Sequence, residues 1–131
     1  MQLLKDKIKK DGVVINGEIL KVDSFLNHQI DPDLMLKIGK EFAKRFENCQ
    51  IDRVLTIEAS GIAMAMATGM ILQVPVIFAK KGAASFQADE AYCADVYSFT
   101  KKMANKVSVL KKFLPQGQKV LIIDDFMAHG E

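Results

Sequence analysis

Read for its hydrophobic positions, the chain alternates between helical stripes and short aliphatic runs. Residues 1–10 place Leu3, Leu4 and Ile8 at helical spacing among lysines, which predicts a short amphipathic helix stopped by Asp11-Gly12. Residues 13–15 and 18–22 read as extended pieces joined by Asn16-Gly17, a dipeptide that tolerates positive φ and favours a tight hairpin turn. Asp31 and Pro32 then supply an N-cap and a first helical residue. Behind them Leu34, Ile38, Phe42 and Phe46 recur every four residues, which defines a helix with one buried face that ends near Asn48.

Residues 53–57 read as the first central strand, followed by Glu58-Ala59-Ser60-Gly61 and an alanine- and methionine-rich helix reaching about Leu72. The next strand is expected over 74–79, with Pro75 near its start, where a missing N–H is tolerated. Residues 80–92 carry no period and read as a loop, whereas 96–100 and 107–110 look like a pair of strands. After a turn at 115–118 comes Val120-Leu121-Ile122-Ile123, an aliphatic run expected to be buried on both faces of a parallel sheet. This alternation predicts an α/β fold: a mostly parallel sheet flanked by helices.

Composition narrows the function. At 131 residues the chain is one domain with room for a real core, and with half its residues hydrophobic and 26% charged it reads as soluble and globular. A net charge of +2, with lysines scattered rather than striped, argues against nucleic acid or an anionic membrane as partner. The apolar stretch 61–76 is interrupted by Thr68, Gly69, Gln73 and Pro75, too often for a membrane span. Cys49 and Cys93 lack metal-ligand spacing. With no secretory signal at the amino end, they read as free thiols of a cytoplasmic protein.

The candidate chemistry lies where strands end. The last strand delivers Asp124 and Asp125, then a loop of small residues around Gly130, to the carboxyl edge of the sheet, where open α/β folds bind ligands. Carboxylates suit sugar hydroxyls, and free N–H groups in such a loop suit a phosphate. Alone, the two acids read more readily as a strand-end cap or the start of the next helix, and the glycine-containing loop after them changes that weighing. The turn 58–61 repeats the layout of strand, acid, small residues, glycine and helix; its bland reading is helix capping by Ser60. Lys80 and Lys81 follow the strand after Phe78 and are either a solvated pair or charge partners for a pyrophosphate. Asn27 could meet a base edge or simply sit in a polar loop. His28 pairs with no nucleophile, and Met64 and Met66 read as helix packing.

These residues together resemble the type I phosphoribosyltransferases, which bind phosphoribosyl pyrophosphate (PRPP). The alanine-containing loop Ala128-His129-Gly130-Glu131 is similar to that of the bacterial xanthine phosphoribosyltransferases of purine salvage. The segments 20–32, 56–63 and 96–101 look like the same subfamily, so the resemblance spans nearly the whole chain. It implies a type I phosphoribosyltransferase fold with a hood at 1–30 and a partial core at 31–131, and transfer of ribose 5-phosphate from PRPP to N9 of xanthine. Asp124 and Asp125 would be catalytic, holding the ribose hydroxyls against an oxocarbenium-like transition state. Leu20 and Asn27 would contact the purine, and Ala128, His129, Gly130 and Glu131 would cradle the 5′-phosphate. Glu58, Ala59, Ser60 and Gly61, with Lys80 or Lys81, would hold pyrophosphate, which leaves with magnesium; no dedicated protein metal site is expected. The loop after Lys81, with residues 97–101, would close over the reaction.

The same resemblance implies a homodimer in the complete protein and a carboxyl-terminal part absent after Glu131, so this chain alone is expected to be poorly stable and weakly active or inactive. His129 stands where the family has asparagine, and Glu131 where a neutral side chain is usual. Guanine, hypoxanthine or adenine are alternative acceptors. The rival class is a non-catalytic, PRPP-sensing purine regulator of transcription or RNA. It would need a DNA-binding domain or a basic face, and neither is visible at a charge of +2.

Overall fold

The Asn16-Gly17 step turns as its composition requires, with φ of 52° and 73°. In the computed structural model, which describes residues 1–82, 89–98 and 103–126, this step joins strands β1 (Val13–Ile15) and β2 (Ile19–Lys21) into an antiparallel hairpin. Helix α1 (Gln2–Asp11) precedes it, and a π-helical turn, Asp23–Asn27, follows. That turn was not legible in its polar residues, yet it buries Phe25 and Leu26. Helix α2 (Pro32–Arg45) begins as expected: Leu34 N–H donates to the Asp31 carboxylate at 3.0 Å. Lys7 of α1 bridges Asp31 and Asp11. The helix ends at Arg45, before Asn48, so Phe46 falls at the C-cap, 37% exposed instead of continuing the buried stripe.

Five strands form the main sheet: β3 (Arg53–Ile57), β4 (Val76–Lys81), β5 (Ala91–Ser98), β6 (Met103–Leu110) and β7 (Val120–Ile122), in the order β5-β6-β4-β3-β7. The centre β4-β3-β7 is parallel, as the alternation predicts, while β6 and β5 extend it antiparallel, so the sheet is mixed. Helix α3 (Ile62–Leu72) crosses between β3 and β4. The expected loop at 80–92 is strand at both ends, since Lys80 and Lys81 belong to β4 and pair with Ser108 and Val107. Its residues 83–88 lie outside the described residues, as do 99 and 100 of the strand expected at 96–100. The β5 side chains from Tyr92 to Asp95 are exposed, so no buried face marked this strand in the sequence.

The core occupies one face of the sheet. Val54, Leu121 and Ile123 pack with Leu34, Met35 and Ile38 of α2, Met64, Ala65 and Ala67 of α3, and Val22, Phe25 and Leu26 after the hairpin. At Gly39 the α2 and α3 backbones come so close that a β-carbon would lie 2.7 Å from the Ala67 carbonyl carbon. The opposite face differs from expectation: Ile122, read as buried, is 71% exposed. Strand residues alternate between faces, and the described elements cover only the face that holds Leu121 and Ile123.

Candidate functional site

Register builds the site. Ile57 pairs with Ala79 of β4, and Ile123 N–H donates to Leu55 O at 2.9 Å, which brings Asp124 alongside the end of β3. The turn 58–61 and Asp124 therefore emerge side by side at the carboxyl edge. Three parallel strands end there, and α3 starts there.

The first turn is anchored on β4. Glu58 N–H donates to Ala79 O at 3.1 Å, and Lys81 N–H donates back to Glu58 Oε1 at 2.5 Å. One oxygen of the Glu58 carboxylate is thus engaged by the neighbouring strand. Ile62 N–H reaches Ala59 O, the Glu58–Ala59 peptide is cis, and α3 takes Gly61 as N-cap with no side-chain cap bond, so Ser60 does not cap it. Within the described residues the N–H groups of Ala59, Ser60 and Gly61 donate to no acceptor, and they immediately precede the positive end of an 11-residue helix. This arrangement suits an anion.

The second turn is held largely by itself. Asp125 N–H donates to Asp124 Oδ1 at 2.9 Å, and Phe126 N–H to Asp125 Oδ1 at 3.0 Å. Gly61 supports it from the side: a β-carbon there would overlap the Thr56 hydroxyl and lie 3.2 Å from Asp124 Oδ1. The backbone at Gly61 is ordinary right-handed helix, so glycine is required by close approach, not by φ. Asp124 stays open to solvent but is partly desolvated, which raises its carboxyl above the ordinary aspartate range. The Asp125 N–H opposes that rise, the Asp125 carboxylate adds to it, and the Lys81 charge lowers it.

Lys80 and Lys81 point to opposite faces of β4. Lys81 is the one whose charge reaches Asp124, whereas Lys80 lines a cavity of about 330 Å³ with Arg53, Phe78, Val109 and Phe113. Leu20, on β2, is 36% exposed, and Asn27, ending the π-helical turn, is exposed. Ala128, His129, Gly130 and Glu131 lie outside the described residues. No group of three or more His, Cys, Asp or Glu gathers as a metal site among the described residues. Sequence reading missed Thr56 and the steric role of Gly61; a hydroxyl inside the aliphatic run 53–57 was the available signal.

The fold is that of the type I phosphoribosyltransferases. Adenine phosphoribosyltransferase of Saccharomyces cerevisiae superposes with a TM-score of 0.68 over 95% of this chain and 73% of that one, at 18% identity. The Leishmania donovani enzyme gives 0.62 over 86% and 47%, at 19% identity. No family model matches the chain. Among curated proteins, the xanthine phosphoribosyltransferase of Lactobacillus acidophilus is 54% identical and that of Ligilactobacillus salivarius 53% identical, each over all of this chain. The chain spans 68% of the length of both relatives. It belongs to the xanthine phosphoribosyltransferase family.

Proposed function

We propose that the chain transfers ribose 5-phosphate from PRPP to N9 of xanthine, forming xanthosine 5′-monophosphate and pyrophosphate. The observation that carries this reading is identity above 50% across the entire chain with xanthine phosphoribosyltransferases. The adjacent acidic turns give it a chemical basis. The ribose C1–oxygen bond to pyrophosphate breaks as the purine nitrogen bonds to C1, and positive charge develops on the sugar. Asp124 and Asp125 accept hydrogen bonds from the ribose hydroxyls and offset that charge. The free N–H groups of Ala59, Ser60 and Gly61, with Lys81, hold the leaving pyrophosphate. Lys80, facing away from Lys81, is the weaker candidate of the two. Magnesium enters with the donor and neutralises part of its phosphate charge.

Leu20 and Asn27 take the purine in this reading, and residues 128–131 take the 5′-phosphate. The proposal extends to a cytoplasmic homodimer. Met66 and Met70 on the outer side of α3 are exposed, in a helix that is apolar all round, which supports a protein partner there. The free thiols Cys49 and Cys93 suit a reducing compartment.

The test is chromatographic detection of nucleotide from the purified chain, PRPP, magnesium and each purine in turn. Xanthine is expected to be used in preference to guanine, hypoxanthine and adenine. Faster nucleotide formation from another purine than from xanthine would refute the proposal.

A further inference from the structure

One ammonium group closes the segment that carries Leu20 and Asn27. Lys7 Nζ lies 3.0 Å from Asp11 Oδ2, 3.3 Å from Asp31 Oδ2 and 5.7 Å from the centre of the Phe25 ring. Asp11 ends α1 and Asp31 caps α2, so residues 12–30 form a loop joined at its base through Lys7. Each of the two residues is fixed to one of these anchors. A β-carbon on Gly12, next to Asp11, would sit 3.2 Å from Leu20 Cδ1, so the leucine side chain rests on the end of α1. Asp31 N–H donates to Phe25 O at 3.0 Å and so holds the π-helical turn that ends in Asn27 to the start of α2.

Exposed ion pairs within one helix, such as Lys37–Asp33 and Arg45–Glu41 on α2, contribute little. Among the described residues only the Lys7–Asp31 pair crosses from one element to another, and it is partly buried and backed by an aromatic face. We infer that Lys7 is a positioning residue for the purine: by holding Asp11 to Asp31 it sets the spacing of Leu20 and Asn27. The inference rests on the reading of those two residues as the purine contacts. The partners of Lys7 are Asp11, Phe25 and Asp31, none of them on the turns after β3 or β7 that face PRPP. Its loss should therefore weaken purine binding selectively.

The test is steady-state kinetics of the full 131-residue chain with xanthine and PRPP varied separately. Lys7→Met and Lys7→Gln both remove the charge. Each is expected to raise KM for xanthine about fivefold or more, with KM for PRPP and kcat within about twofold, and Lys7→Arg to recover most of the loss. Lys37→Met, which breaks an ion pair within α2 alone, is expected to leave both KM values unchanged. KM values that rise together, or a Lys37→Met effect as large as that of Lys7→Met, overturn the inference. Amide hydrogen exchange without xanthine or PRPP gives a second reading. In Lys7→Met the Leu26 and Asp31 N–H groups are expected to exchange about threefold faster relative to Val54 N–H, which is bonded to Pro75 O within the sheet. An unchanged ratio overturns the inference whether or not the chain turns over, so its failure is distinct from failure of the transfer assay.

Discussion

Both β3 and β7 end in an acid and a turn, but Glu58 and Asp124 are held by different means. Glu58 is tied through its backbone and its carboxylate to the neighbouring strand, at Ala79 O and Lys81 N–H. Asp124 bonds to the residue that follows it and leans on the bare backbone of Gly61. The first turn is part of the sheet's frame; the second takes its position from the first. A catalytic carboxylate placed this way carries a partial desolvation that dominates its titration, whereas in Asp31 the hydrogen bond from Leu34 N–H outweighs desolvation and lowers the carboxyl instead.

The largest effect is expected from removing that support. Gly61→Val drives a branched side chain into the Thr56 hydroxyl and the Asp124 carboxylate, and it is expected to abolish transfer and lower the thermal midpoint. A variant that melts and turns over like the unmodified chain would dissolve the distinction between the turns. Asp124→Asn comes next, with a loss of roughly 100-fold or more in kcat from weaker charge stabilisation. The same change is expected to raise the melting temperature at pH 7. With its folded pKa raised, Asp124 binds its proton more readily in the native state, so its ionised form opposes folding at high pH. The penalty fades as pH falls through the folded value toward the ordinary 3.8, and the gain from asparagine should fade with it. Calorimetry across that range would expose a flat or inverted trend.

Glu58→Ala releases Lys81 N–H and loosens the framed turn. About a tenfold rise in KM for PRPP is expected, with a smaller change in kcat, from loss of one hydrogen bond to a charged group. The smallest effect concerns the strand that carries Asp124. Ile122→Ser is expected to change stability by only about 0.5 kcal/mol, since that side chain is exposed, whereas Leu121→Ala one residue earlier costs about 2–5 kcal/mol. Equal denaturation midpoints for the two would contradict the one-sided burial of β7.

Much of this was legible in the sequence where local chemistry decides structure. Asn16-Gly17, Asp31-Pro32 and the runs at 53–57 and 120–123 announced hairpin, helix start and parallel strands, because each depends on φ preference, capping or continuous apolarity. The ribbon of β5 and β6 was only half visible: its ladder is made by backbone groups, and exposed positions such as Asp95 and Lys106 carry no alternation. Ile122 was misread because four aliphatics in a row do not reveal which face finds a partner. In the site, the acids stood out by charge. Thr56 and the steric role of Gly61 did not, since they arise only when β3, α3 and β7 meet, and a threonine in a strand otherwise reads as one more branched residue.

Gly39 shows how differently the residues of this chain would fare under selection. Where α2 and α3 touch backbone to backbone, any side chain at Gly39 pushes the helices apart and carries the start of α3, with Gly61, away from Asp124. Variants chosen only for being folded would keep Gly39 and discard Asp124, whose charge opposes folding at neutral pH. Variants chosen for turnover would keep both. Deep sequencing of the two pools would therefore separate the residues that hold the site open from those that use it.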